Sequence, residues 1–415
     1  MPVGYLITVA IWAVCTAFAL APPRPRHSSP SNISFWLAFP VAELPFIAFF
    51  ALVVATVLTG DLNTPVGWIG LCVAMAATIG LVVVVRRASR TSEVVGRALR
   101  DALEAGPGAG NGQRLESRPR RRLPWLRILF APFVFRRRDV ERVRNIPYGS
   151  AGRANLLDVY RHRSRPAHAP TLIHLHGGAF RSGRKSREAR PLLYRLASRG
   201  WVCVSANYRS SPEATFPEPL VDAKQVIAWV RTHGAEYGAD PAVLFVSGSS
   251  AGGHLAASAA LTPNVAELQP GVEAADTSVT GAVVLYGYFG SVDSPTRMSS
   301  SPVAYVHADA PPFFVAHGQL DTIVLVEEAR DFVERLAAVS ANPVVYAELP
   351  GAQHVFDLFH SIRFDSLVDG IEAFTTWIRT RTTTQLPSRH DAADGTDGAE
   401  GSDHAEQLGS PGASG

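Results

Sequence analysis

The chain reads as an α/β protein with a membrane anchor: a mostly parallel, eight-stranded sheet flanked by helices, preceded by a three-helix apolar region. Three observations lead there. The first 90 residues hold three long apolar stretches, short β-rich runs alternate with amphipathic segments from residue 142, and one strand-to-helix junction reads Gly248-Ser249-Ser250-Ala251-Gly252. A length of 415 residues also exceeds the usual size of one domain, so more than one structural unit is expected.

The apolar stretches run from Tyr5 to Ala21, Phe35 to Leu58 and Val66 to Val85. Each approaches the ~20 residues that cross ~30 Å of hydrocarbon as a helix, so residues 1–90 are expected to be a transmembrane region. No Lys or Arg precedes Arg24, which argues against a signal peptide for the first stretch. Arg24 and Arg26 follow the first span, no basic residue separates the second from the third, and Arg86, Arg87 and Arg90 follow the third. The positive-inside rule then puts the amino terminus outside, and everything after residue 86 in the cytoplasm of a cell whose inner membrane holds the protein. Glu43 lies within the second stretch between Pro40 and Pro45, where an interfacial position is expected rather than an intramembrane functional acid.

Residues 91–141 form an arginine-rich juxtamembrane segment. Its stretch 118–138, RPRRRLPWLRILFAPFVFRRR, interleaves cations with Trp125, Phe130, Phe133 and other large apolar residues, a pattern suited to an anionic interface or to a cap over a catalytic domain. Residues 383–415 are poor in large apolar side chains and read as a disordered tail. The net charge of +3 is too small to suggest a nucleic-acid partner, and all cations except Lys185 and Lys224 are arginines, which bind phosphate well. Cys15, Cys72 and Cys203 have no metal-ligand spacing and read as small buried hydrophobes; the serine chemistry read below implies neither a metal nor another cofactor.

Residues 142–382 supply the strands RVRNIPY, NLLDVYR, TLIHLHG, WVCVSANY, AVLFVSG, GAVVLYGY, PFFVAHG and PVVYAELP. From the third onward the spacers read mostly as helices, among them REARPLLYRLASR, PLVDAKQVIAWVRTHG and VEEARDFVERLAAV. That alternation predicts a parallel sheet with a hairpin at its start, and in such sheets function gathers at the carboxyl ends of the strands.

AVLFVSG ends at one such place, and AGGHLAASAAL begins a helix there. G-x-S-x-G at a strand-to-helix turn is the nucleophile elbow, whose tightness demands small residues around the central serine. Ser250 is the one serine of the three in VSGSSAGG with glycine two positions before and two after. A hydroxyl needs a base and an anion-stabilising hole to act at neutral pH. His354, in LPGAQHVFD after the last strand, is the expected base, and Asp321, in AHGQLDTIV, the acid that orients it. The backbone N–H groups of Gly177 and Gly178 in HLHGGAF, with that of Ala251, are the expected oxyanion hole. His174 and His176 are given structural roles, while His254, His317 and Asp357 are rivals for the base and acid.

HGGAF, NYRSSPEATFPEPLVDAKQVIAWV, GSSAGG, HGQLDT and GAQHVF occur in this order over residues 142–380. On these motifs the catalytic portion resembles the hormone-sensitive-lipase-like carboxylesterases of the α/β-hydrolase superfamily, and the apolar front end looks like that of membrane-associated esterases of actinobacteria, including mycobacteria. The resemblance implies a triad of Ser250, Asp321 and His354 and an oxyanion loop containing Gly177 and Gly178. Two positions depart from the family pattern: Ser249 stands where an acid usually precedes the nucleophile, and Ala179 where a third glycine is usual. The segment 290–310 is too short for a large lid, so a cap must come from upstream of residue 142. The implied activity is hydrolysis of short- to medium-chain carboxylic esters, including lipid esters, beside a bilayer. An amidase or peptidase with the same triad and a non-catalytic scaffold are the alternatives.

Overall fold

The computed structural model describes residues 2–23, 28–104 and 122–385. Arg24 and Arg26, the first residues of the 118–138 stretch and the tail from residue 386 lie outside the described residues.

The front end contains α1 (Pro2–Leu20), α2 (Ser28–Glu43), α3 (Pro45–Thr59) and α4 (Pro65–Ser89). Gly70 packs against the Tyr5 ring, Gly80 against Thr16 and Leu20, and Arg87 Nη1 donates to the Leu20 carbonyl at 2.7 Å. α1 and α4 therefore run parallel, and their glycines permit the close approach. α3 runs the other way, since Phe46 packs beside Val85 and Ala88 while Thr56 Oγ1 lies 3.1 Å from Tyr5 Oη. The expected second span from Phe35 to Leu58 is not one helix. It breaks at Leu44 with an 89° bend between its halves. Pro45 has no N–H to continue the ladder of α2 and clashes with the preceding turn, yet it suits the first turn of a new helix. Only α3, of 15 residues and about 22 Å, lies along the bundle. Val3–Leu20 and Pro65–Glu104 are long and apolar enough to cross a membrane. Of the cysteines, Cys203 is buried, Cys15 half-buried and Cys72 exposed, which corrects the expectation for Cys72.

α5 (Thr91–Glu104) continues from α4, and α6 (Trp125–Phe130) follows. Val95, Leu99, Leu103, Phe135 and Val140 share one apolar core with the catalytic portion, so the described part of 91–141 is built into that domain rather than set apart from it.

The sheet comprises β1 (Val140–Pro147), β2 (Leu156–His162), β3 (Ala169–Leu175), β4 (Val202–Ala206), β5 (Ala239–Ser249), β6 (Gly281–Leu285), β7 (Phe313–Gly318) and β8 (Val344–Leu349). Their order is β1-β2-β4-β3-β5-β6-β7-β8, antiparallel at β1/β2 and β2/β4 and parallel elsewhere, as the alternation predicts. Helices α7 (Arg190–Ser198), α8 (Glu218–His233), α9 (Ala251–Leu261), α10 (Val326–Val339) and α11 (Ile362–Gln385) complete the α/β-hydrolase architecture. β3, β4, β6, β7 and β5 from Leu244 onward are buried because helices cover both faces. α7 starts at Arg190 rather than at Arg187 because Pro191 occupies its first turn and Ala189 takes φ 50°. α11 runs past the boundary expected at 382.

Candidate active site

β5 delivers Ser250 at φ 55° and ψ −119°, outside the helical and extended regions, and α9 starts at the next residue. The turn closes because its flanks lack side chains. A Cβ on Gly248 would lie 1.9 Å from the Gly252 carbonyl oxygen, and one on Gly252 2.1 Å from that of Leu175. Strain of this kind persists only where surrounding structure enforces it.

His354, from the loop after β8, places Nε2 2.9 Å from Ser250 Oγ, and its Nδ1 lies 2.7 Å from Asp321 Oδ2. Asp321, after β7, accepts the backbone N–H groups of Ile323 and Val324 on Oδ1, both at 2.9 Å. Burial alone would push its carboxyl up, but the charge and hydrogen bonds of His354 and His317 hold it well below the usual carboxylate range. The structure thus gathers the three expected side chains into one row. This arrangement lets the imidazole take a proton from Ser250 while the carboxylate fixes its tautomer.

The rivals fall elsewhere. His254 faces the Tyr288 carbonyl at 3.1 Å, and burial pulls it down to about 4, so it stays neutral. His317 lies behind the acid, with Nε2 2.9 Å from the Val324 carbonyl and 3.4 Å from Asp321. His174 pairs with Ser247 and His176 stacks on Tyr208 with ring centroids 4.4 Å apart, in keeping with structural roles.

Gly178 takes φ 132°, where a Cβ would meet the Ser182 carbonyl at 1.9 Å. Among the described residues neither its N–H nor that of Ala251 meets an acceptor. The expectation for Gly177 requires correction. Its N–H donates to the Glu188 carboxylate, so it shapes the pocket instead of facing an oxyanion, and a Cβ there would lie 3.0 Å from Ser250 Cβ. The signal for Glu188 was weak: Pro191 alone indicates that residues before 190 leave the helix and become free to turn inward.

A second buried network sits behind the elbow. Asp357 accepts from Ser249 Oγ at 2.6 Å and from the Tyr286 hydroxyl, and the Tyr286 ring meets that of His354 edge-on at 4.6 Å. Burial and then the Asp357 charge push Glu188 above the usual carboxyl range. The folded chain therefore keeps a proton that an unfolded glutamate loses near pH ~4.3, and stability falls as pH rises through that window. Glu188→Gln keeps the acceptor for Gly177 and cannot titrate. Its melting temperature is expected to fall less than that of the wild type between pH 5 and pH 8; identical slopes would remove Glu188 from the account.

The roof comes from the front end. Phe35 on α2 lies 6.5 Å from His354 ring to ring, Phe39 stacks on Phe35, and Phe359 bridges Phe39 and Phe133. Glu43 holds α2 in place. It pairs with Arg363 of α11 and accepts from Ser361 Oγ at 3.0 Å, and is buried against the catalytic domain.

Comparisons with known proteins show what the chain is similar to. The family model BD-FAE matches residues 157–293. The probable carboxylic ester hydrolase LipM of Mycobacterium tuberculosis is 36% identical over 90% of this chain and 92% of its own length, and esterase LipQ of the same organism is 41% identical over 57% and 63%. Among solved structures, native esterase Est2 of Thermogutta terrifontis is 23% identical with a TM-score of 0.49, over 61% of this chain and 95% of that one. By the extent of the LipM similarity, the chain belongs to the carboxylic ester hydrolases of the hormone-sensitive-lipase-like branch of the α/β-hydrolase superfamily.

Proposed function

We propose that the protein is a membrane-anchored serine ester hydrolase that cleaves short- to medium-chain acyl esters, lipid esters among them, through an acyl-enzyme on Ser250. The observation that carries this reading is the hydrogen-bonded row Ser250 Oγ, His354, Asp321, with links of 2.9 and 2.7 Å. His354 Nε2 takes the Ser250 proton as Oγ bonds to the ester carbonyl carbon, and Gly178 and Ala251 amides receive the developing oxyanion. The imidazolium returns that proton to the departing alkoxide. Water, deprotonated by the same nitrogen, then releases the acid and restores Ser250. Asp321 stays ionised throughout and stabilises the imidazolium.

Membrane anchoring is supported by α1, α3 and α4, whose outer faces expose Ile11, Val57, Ile69 and Ile79. Arg86, Arg87 and Arg90 at the end of α4 favour the cytoplasmic side for the catalytic domain, with the amino terminus across the bilayer. α2 is bent away from α3 and lies over His354, so the site mouth sits at the level where the spans end. Trp36 and Phe133, 63% and 55% exposed beside Phe35 and Phe359, suit an interface that lends acyl chains to the pocket. The test is an acyl-length series of p-nitrophenyl esters with matched anilides, run with and without vesicles. Hydrolysis of the esters with little cleavage of the anilides, strengthened by vesicles for longer chains, is expected; equal cleavage of both series would make the enzyme an amidase.

A further inference from the structure

A cavity of about 740 Å³ opens beside the end of the bundle, away from Ser250. Its helical wall carries Arg87, Arg90 and Arg97 from the α4–α5 junction, and among the described residues Glu93 is the one acid lining it. Arg97 is paired with Glu93 at 3.0 Å on the surface, both more than half exposed, so this contact is a weak competitor for an incoming anion. Arg87 is tied to the Leu20 carbonyl that ends α1, which fixes the cavity at the depth where both long apolar helices stop. Three guanidiniums face one carboxylate at the boundary between an apolar bundle and a polar domain, and guanidiniums pair well with phosphate oxygens.

The opposite wall belongs to the catalytic loops. Gln319 and Leu320 immediately precede Asp321, and Pro350 opens the loop that carries His354. The two loops are stitched together behind the triad: Gln319 N–H donates to the Leu349 carbonyl at 3.1 Å, Leu320 N–H to that of Ala352 at 2.9 Å, and Gly351 N–H to Gln319 Oε1 at 3.3 Å. Gly351, at φ 66°, lets the Arg87 stem lie directly on this seam, where a Cβ would come within 3.0 Å of Arg87 Cδ.

We propose that this cavity binds the phosphodiester headgroup of an anionic phospholipid between Arg90 and Arg97, and that the bound headgroup braces the loops carrying Asp321 and His354. The proposal deepens the membrane-anchored reading and names the bilayer component that the protein senses. An occupied site would join the helix wall to both loops and hold the imidazole against Ser250, so turnover rises on the membrane that supplies the ligand.

The test uses the full chain in phosphatidylcholine nanodiscs with or without phosphatidylglycerol, with soluble glycerophosphate as a separate arm. Headgroup affinity is read by competition with a fluorescent phosphatidylglycerol, and kcat by hydrolysis of a short p-nitrophenyl ester. Arg90→Gln/Arg97→Gln is expected to weaken phosphatidylglycerol binding about 30-fold, from ~1 kcal/mol for each interfacial cation. It should also abolish the rise in kcat with phosphatidylglycerol. Arg100→Gln, outside the cavity, should change neither, and unchanged melting temperatures identify folded variants. Wild-type binding by the double variant overturns the site. Equal competition by soluble glycerophosphate overturns the lipid assignment, and binding without any change in kcat overturns the bracing. Fluorophosphonate labelling of Ser250 in the same samples separates the two readings: intact labelling with no headgroup binding defeats this inference alone, and absent labelling with normal binding defeats the hydrolase reading alone.

Discussion

Ser250→Ala is expected to lower hydrolysis of p-nitrophenyl acyl esters by about 10⁴- to 10⁶-fold and to abolish fluorophosphonate labelling, with the melting temperature nearly unchanged. The size follows from the geometry. Ser250 Oγ is the atom within 2.9 Å of His354 Nε2 at the centre of the elbow, and Ser249 Oγ cannot replace it because it is buried and committed to Asp357 at 2.6 Å. Any residual rate would come from the Gly178 and Ala251 amides and from substrate positioning, which survive the substitution. The nearly constant stability follows from the φ of 55°, which alanine tolerates no worse than serine, and from the small volume removed. Activity within tenfold of the wild type would exclude Ser250 as the nucleophile.

Arg363→Ala is expected to destabilise the fold by about 3–5 kcal/mol, read as a large fall in melting temperature. Arg363 and Glu43 each expose about 1% of their side chains, and the guanidinium also donates to the Ala42 carbonyl at 3.1 Å and that of Pro350 at 3.3 Å. Removing it strands a buried carboxylate with only the Ser361 hydroxyl for company. Glu43→Met/Arg363→Met removes both charges and fills much of the volume, so it should recover most of the loss. A single substitution no worse than the double one would mean that the pair adds nothing beyond packing. The same latch holds α2, and through Phe35 the roof over His354. Hydrolysis of longer acyl esters should therefore fall in the single variant at temperatures where the catalytic domain remains folded.

The hydrogen-bonded row of Ser250, His354 and Asp321 was legible because each member is announced by its immediate neighbours. Gly248 and Gly252 mark the elbow within five residues, and Asp321 and His354 each follow a run of strand-forming residues, which places them at the carboxyl edge of a parallel sheet. The eight strands and the mostly parallel sheet they form were legible for the same reason, since alternation between strand and helix leaves few topologies open. Long-range pairing left no such local mark. The break at Leu44 was foreshadowed by Pro45, but hydropathy counts apolar residues and is blind to the direction a helix takes after a proline. Nothing near Phe35 indicates that it will meet His354, and the Arg363 partner of Glu43 is 320 residues away. Glu188 on Gly177 and Asp357 on Ser249 were hidden for a related reason: a buried carboxylate takes whichever donors packing brings to it.

The sequence by itself determined the sheet, the elbow and which three side chains would meet beside it, because those depend on backbone periodicity and on steric demands confined to single turns. The tertiary structure decided that the Gly177 amide is taken by Glu188, that α3 rather than the whole apolar stretch runs with the bundle, and that α2 roofs the site. These outcomes depend on which buried charges and aromatic rings find partners once distant segments pack together.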